Sequence, residues 1–396
     1  MGRIVGIDLA RCLALLGMVT AHLVHGTDGP GGVSTVFQIV SGRSAALFAV
    51  LAGVSIALTT RPRPDRTATG SRRALVARAI LIALMGLFLG VFDSGLAVIL
   101  TFYGVLFLLA VPVLTWSARD LGILALGWGL FSPVVGLAVR RHLPGPGFVV
   151  PQPADLADPL LLLRELTVTG YYPVLTWGTY LFAGMAIGRL DLRSPTIARR
   201  LVVPGAWLAV LALATDRLMT RSDAVRDELV RTYDRFGGVE TWAELDHAMR
   251  IGLYGTTPTG SWSWLWVWSP HSGSIVDLAH TVGTSMLVIG LSLVVVRAAG
   301  RAGEWVRVAA GAGTMTLTLY AVHVTVVAMG RSEALSTGAP WLLDVRLHLL
   351  GVLVIGAAFA LARRRGPLEQ LVSQVSGAVR DGASSPRPRS PGRSGG

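Results

Sequence analysis

The 396-residue chain is 52% apolar and only 15% charged, where a soluble domain carries about a quarter charged residues, so an ordinary soluble protein is excluded and an integral membrane protein is indicated. Its net charge of +12 comes from 35 basic residues, all of them arginine and scattered among short loops. With no basic stripe and no RNA-binding signature, nucleic acid is excluded as a partner and the charge reads as topology.

Ten apolar segments of about 20 residues, the length that a hydrocarbon core of roughly 30 Å requires, run approximately over 4–24, 36–58, 74–92, 96–115, 120–139, 169–189, 201–218, 275–297, 309–330 and 342–362. They predict an all-α, polytopic membrane bundle of about ten transmembrane helices occupying residues 1–365. The first segment contains Asp8 and Arg11, is longer than a signal-peptide core and lacks a small-residue cleavage site, so it reads as a span. Its Cys12 is the only cysteine, which excludes an internal disulfide.

Arginines concentrate after the second segment (Arg61, Arg63, Arg66, Arg72, Arg73, Arg78), after the sixth (Arg189, Arg193, Arg199, Arg200), and after the eighth and tenth. The positive-inside rule places these loops and both termini in the cytoplasm, in a multi-pass protein of the cell membrane. Arg140 and Arg141 fall on the other side. Two long outer segments are expected, at 140–168 and 219–274. In the second, Ser222 is placed to cap a short amphipathic helix. Trp262, Trp264, Trp266 and Trp268 then alternate as they would on one side of an extended strand, a pattern of interfacial anchoring with sugar stacking as the competing use. Residues 366–396, ending in "GASSPRPRSPGRSGG", read as a disordered, basic cytoplasmic tail.

Polar side chains inside a bilayer cost several kcal/mol at the centre of a span, so each needs a reason. At the inner end of the first segment Asp8 and Arg11 can pair, as a functional couple or as a snorkelling pair at the interface. Toward the outer side lie His22 and His25, Arg43, Asp93, Tyr171 and Tyr172, Asp277 and His280, Tyr320 and His323, and Asp344 and His348. Convergence of so many helices at one level suits an active site or a substrate pathway. Asp277 with His280, and Asp344 with His348, have helical spacing and can also satisfy each other. Arg43 sits inside an apolar run and needs an anion, with Asp93, Asp277 or a substrate phosphate as candidates. No His/Asp/Glu set has metal-ligand spacing. Arg11 and His22 are eleven residues apart, which puts them on one helical face about 16 Å from each other.

"RIVGIDLARCLALLGMVTAHL" resembles the first helix of the transmembrane acyltransferases, including the heparan-alpha-glucosaminide N-acetyltransferase-like proteins and the acyltransferase-3 enzymes. That helix reads Leu-Asp-x-x-Arg-Gly, and the acyltransferase-3 branch places a histidine after ten further residues, a spacing that Asp8, Arg11 and His22 match. "LFAVLAGVSIAL" is similar to the family's second helix, Phe-Leu-x-x-x-Gly-x-Ser-Ile. "YYPVLTWGTYLFAGMAIGRLDL" and "GTMTLTLYAVHV" look like later helices of the bacterial heparan-acetyltransferase-like members. There are two departures. Cys12 replaces the usual glycine, and the first outer loop, "HGTDGPGGVSTVFQ", has Gly or Val where the family's loop histidine would fall. Either His22 or His25 substitutes for that histidine, or the chain does not use that chemistry.

The resemblance implies an acyl-CoA-dependent O- or N-acyltransferase. It would move an acyl group, acetyl in most members, from cytoplasmic acyl-CoA to a hydroxyl or amine of an extracytoplasmic glycan or lipid. Asp8 and Arg11, or the basic inner loops, would handle the donor; His22 would act as base or acyl carrier, with Arg43 or a helix N-terminus at the oxyanion; Asp93, Asp277 and His323 complete the candidate catalytic set. His25, Tyr171, Tyr172, His271 and Tyr320 would meet the acceptor. The expected partners are the bilayer, acyl-CoA and the acceptor; a homodimer is allowed, and no metal is expected. The competing readings are a transporter or exporter that uses the same polar level as a binding site, and an inactive family member.

Overall fold

A computed structural model of the chain describes residues 3–24, 26, 32–61, 67–235, 237–337 and 341–382. Its α-helices in chain order are α1 (Val5–Leu23), α2 (Thr35–Val40), α3 (Arg43–Thr59), α4 (Ala68–Leu89), α5 (Leu100–Ala110), α6 (Ala118–Arg140), α7 (Pro159–Arg164), α8 (Val174–Arg189), α9 (Pro195–Met219), α10 (Asp223–Arg231), α11 (Trp242–Ile251), α12 (Ile275–Ala298), α13 (Gly303–Ala309), α14 (Thr316–Thr337), α15 (Val345–Leu361) and α16 (Pro367–Gly382). The fold is an all-α polytopic membrane bundle, as the hydropathy pattern predicts. Each of the ten expected segments holds a helix. Among the described residues, five helical stretches are long and apolar enough to cross a membrane: Val5–Leu23, Thr35–Thr59, Ala118–Arg140, Pro195–Met219 and Ile275–Ala298. A sixth forms if Gly303–Thr314 and Thr316–Ser336, bent by 59°, make one broken span. The others are shorter or, like α4 with Arg72, Arg73 and Arg78, begin with charge.

Close backbone approach holds the centre together. A Cβ on Gly53 or Gly184 would collide with the backbone of the facing helix in the α3–α8 pair, and one on Gly313 with the Asp8 carbonyl of α1. Where lipid and neighbouring helix are equally apolar, such small residues gain the dispersion contacts that favour association. Gly42 has φ +72°, a left-handed conformation that separates α2 from α3 and puts Arg43 in the first turn of α3.

Three sequence expectations change. The alternating tryptophans do not form a strand: Trp262–Trp266 is a 3-10 turn, capped by Ser261 and tied by Ser261 and Ser263 hydroxyls to the Glu228 carboxylate. Trp264 is fully buried and donates to Thr232 Oγ1 at 3.0 Å, while Trp262 stacks on Arg141. Together with Leu229, Tyr233, Leu245 and Met249, Trp264 builds a small second core over the bundle. Ser222 stands at the start of α10 without making a side-chain cap. Finally, residues 367–382, read as disordered tail, form α16, whose Val372 packs inward against the bundle; residues 383–396 lie outside the described part.

Candidate active site

A cavity of about 820 Å³ opens on the arginine-rich face. It is lined by the starts of α1, α4 and α14, the end of α3, and α16, with Arg3, Arg11, Arg78, Arg364, Arg365 and Arg380 in its walls and Phe48, Tyr103 and Tyr320 at its deep end. Arg11 donates to Asp8 Oδ1 at 3.1 Å and to Ser55 Oγ at 2.7 Å. Arg3 also bonds Asp8. The Ser55 that receives Arg11 is the serine of the Gly-x-Ser-Ile stretch, two residues from the Gly53 that lets α8 approach, so one short motif serves both packing and charge. Glu369 of α16 reaches the start of α14, accepting from Leu317 and Thr318 backbone N–H at 2.7 and 3.2 Å and from Thr318 Oγ1 at 2.6 Å. A carboxylate there satisfies orphan donors and the helix dipole. Arg78 lies over the Phe107 ring, and its Nε is buried without a partner. An unpaired guanidinium nitrogen in a cavity walled by arginine is an anion-seeking arrangement.

Beyond the cavity floor, toward the far face, is a line of histidines. His22 of α1 places Nδ1 3.1 Å from His323 Nε2 of α14; His323 Nδ1 lies 2.9 Å from His348 Nδ1 of α15; and His348 Nε2 lies 2.7 Å from the Leu342 carbonyl. His323 is three residues beyond Tyr320, a rise of about 4.5 Å along α14. The rings bond in series and share no common point, and no group of three metal-ligating side chains is gathered among the described residues.

A second far-level cluster surrounds Arg43. Its Nε donates to His280 Nε2 at 2.8 Å, Nη1 to the Gln38 carbonyl, and its guanidinium stacks on Trp268 at 5.1 Å. Nη2 has no partner among the described residues. His280 Nδ1 faces the Ala209 carbonyl at 3.1 Å. Asp277 accepts from Gly273 N at 3.0 Å with Oδ2, while Oδ1 is buried without a partner. On the same side Tyr171, Tyr172, Trp177, Phe148 and Tyr254 pack edge to face and tilted, with Tyr172 against His271. Phe148, Tyr254 and His271 all have positive φ, a strained conformation for side-chain-bearing residues that has to be held by its surroundings. Burial pushes the His271 imidazole down to about 4.

The expected site residues therefore separate. Asp8, Arg11 and Tyr320 line the cavity; His22 and His323 join through their rings; Arg43, Asp277, Tyr171, Tyr172 and His271 share the far level. Asp93 stands apart from these groups: its side chain is 87% exposed and, among the described residues, faces Arg331 at 3.9 Å. The turn after α4 leaves it outside the bundle, so Arg43 finds a neutral imidazole and carbonyls in place of that carboxylate. Asp277 and His280 do not satisfy each other, nor do Asp344 and His348 through their side chains. Asp344 caps α15, accepting from Arg346 N at 2.7 Å, while His348 turns to His323. His25 lies outside the described residues. Sequence reasoning missed Tyr103, Arg78 and Glu369 as site residues and offered Asp344 as the partner of His348; all four were visible as polar groups in apolar or amphipathic helices, but their neighbours in the fold are distant in sequence.

No curated protein matches the chain. The family model of the heparan-alpha-glucosaminide N-acetyltransferase catalytic domain matches residues 3–216, more than half of the chain, and takes in the Asp8–Arg11–Ser55 group, His22, Arg43 and the α3–α8 packing. With the motif residues in contact as their spacing requires, the chain belongs to the heparan-alpha-glucosaminide N-acetyltransferase-like family of membrane acetyltransferases.

Proposed function

We propose that the protein transfers an acyl group, acetyl first among them, from acyl-CoA taken up on the arginine-rich face to a hydroxyl or amine of a glycan or lipid presented at the far face. The observation that carries this reading is the cavity of about 820 Å³, which begins among arginines and ends at Tyr103 and Tyr320, one turn short of His323. Phosphates need the first end and a thioester needs the second. Arg11, Arg78 and the arginines at the mouth hold the donor's phosphates by charge-assisted hydrogen bonds. The apolar throat formed by Phe48 and Leu51 receives its uncharged arm. In this reading the arginine-rich face is cytoplasmic, the transferase unit takes in α16, whose Glu369, Val372 and Arg380 line the cavity, beyond the boundary at residue 365 expected from the sequence, the outer segments are 140–168 and 219–274, and the membrane is the cell membrane.

His22 Nε2 takes the proton from the acceptor hydroxyl or amine as that atom attacks the thioester carbonyl carbon. Arg43, through its unengaged Nη2, steadies the oxyanion. When the carbon–sulfur bond breaks, His22 returns the proton to the departing thiolate, so the ring ends as it began. Tyr172 and His271 border the route by which the acceptor arrives.

Purified protein in nanodiscs, incubated with carbon-13-labelled acetyl-CoA and a panel of glycans and lipids and followed by mass spectrometry, tests this. Label should appear on an acceptor with wild type and not with folded His22→Ala. Normal transfer by His22→Ala would overturn the role of the ring. Binding of donor or acceptor with no transfer by wild type would favour transport in place of catalysis.

A further inference from the structure

We propose that the Leu342 carbonyl, acting through His348 and His323, fixes the tautomer of His22 and makes the three rings a relay that carries charge away from the reacting atoms. This rests on the reading of His22 as the base.

A carbonyl oxygen only accepts, so His348 Nε2, 2.7 Å from Leu342 O, carries a hydrogen. A neutral imidazole has one N–H, which leaves His348 Nδ1 as a lone pair. It accepts from His323 Nδ1–H at 2.9 Å. His323 Nε2 is then bare and accepts from His22 Nδ1–H at 3.1 Å. By elimination the lone pair of His22 is at Nε2, which makes no hydrogen bond with any described residue. Reversing the chain would require two hydrogens on His348, a cation in a place with no carboxylate against it among the described residues. His323 and His348 are 2% and 8% exposed, and Asp344, the nearest acid in sequence, spends its Oδ1 on the N–H groups of Arg346 and Leu347. An uncompensated buried charge is the costlier state.

The same geometry allows the charge to move. When Nε2 of His22 gains a proton, its Nδ1 proton can pass to His323 Nε2, and the Nδ1 proton of His323 to His348 Nδ1. One proton has then entered at His22, each of the first two rings is neutral again, and His348 carries the charge only while the reaction intermediate lasts, a transient state against the Leu342 carbonyl that is costlier than the neutral chain at rest. The reverse sequence returns the proton for the leaving thiolate. His323 and His348 touch neither donor nor acceptor in this scheme; they are positioning residues that act through His22.

The test uses the full chain, labelled with nitrogen-15 histidine, in nanodiscs. The His22 signals are assigned from their loss in His22→Gln. Wild type should show His22 with hydrogen on Nδ1 and a bare Nε2. His348→Leu, which removes the acceptor, should shift His22 toward the Nε2–H form and lower kcat by about tenfold or more with the KM for acetyl-CoA little changed. His348→Asn should restore the wild-type tautomer and most of kcat, because its Oδ1 stands where Nδ1 stood and still accepts from His323. A wild-type spectrum with hydrogen on His22 Nε2 overturns the proposal, as does a tautomer unaltered in His348→Leu. If His348→Leu does not fold, the wild-type spectrum decides alone. The spectrum needs no substrate, so a protein with the expected tautomer and no acetyl transfer would refute the transferase reading and leave the tautomer assignment standing.

Discussion

Arg11 and Arg43 are both guanidinium groups set into apolar helices, and the chain satisfies them in opposite ways. Arg11 has a carboxylate, Asp8, a hydroxyl, Ser55, and an open cavity with further arginines beside it. Arg43 has a neutral imidazole, carbonyls and an indole face. The first environment holds more cations than its acids balance, which leaves it receptive to an anionic ligand. The second is nearly self-sufficient, as a site must be if it is to keep its geometry with no ligand present. Under the proposed function, the difference gives binding to one end of the bundle and preorganisation to the other.

Removing Arg11 attacks the receptive end and should have the larger effect. Arg11→Ala is expected to raise the apparent acetyl-CoA constant by about 10- to 100-fold, equivalent to about 1.5 to 3 kcal/mol for a lost charge-assisted contact, with kcat largely retained. Initial rates across donor concentration check this; a fall in kcat at unchanged donor affinity would assign Arg11 to the chemistry instead. Removing Arg43 attacks the self-sufficient end. Arg43→Leu leaves His280 Nε2 and the Gln38 carbonyl without their donor, and should cost about 1 to 3 kcal/mol of stability, read from the unfolding midpoint in detergent; the same midpoint as wild type would show that the cluster is not a structural unit.

The smallest expected effect is a pH dependence of the far-face loop. The folded protein holds His271 at about 4 against an ordinary 6.5, so the neutral ring's contribution is fully present above about 6.5 and is lost as pH falls from there toward 4. Hydrogen exchange of residues 252–274 at pH 7.5 and pH 5, each corrected for the intrinsic exchange rate at that pH, should show lower protection factors at the lower pH, and His271→Gln should flatten the difference. Equal protection at both values in the wild type would mean that the packed ring does not stabilise the loop.

Much of this fold was legible because hydropathy is additive along a segment: all ten apolar stretches became helices. The side of the bundle on which each polar residue lies was also legible, since chain direction alternates; that is how His22, His323 and His348 could be put at one level. Which of them touch was not, because contact depends on helix rotation and crossing. Asp93 shows the limit, sharing the depth of Arg43 but lying on the outside of a turn. The tryptophan repeat misled for a different reason: period two is a strand signal only when the backbone can pair, and here Ser261, Ser263 and Glu228 close a 3-10 turn. In α16, Leu368, Leu371, Val372, Val375 and Val379 do show helical spacing. The run of arginines before it and the low-complexity stretch after it obscured that signal.

The position of α16 has a consequence for assembly. Its Glu369 caps the start of α14, and its Val372, Ser373, Ser376, Gly377 and Arg380 form part of the cavity wall. Chains are made from the N-terminus onward, so the helix that bears Arg11 is synthesised first and the wall opposite it nearly last. A nascent chain that has already inserted α15 still lacks a closed cavity, and acquires one only when residues 367–380 fold back against α4. Closure of the arginine-rich cavity is thereby coupled to completion of the bundle, and a chain that stops short of Pro367 is left with an open, uncapped and arginine-rich cleft.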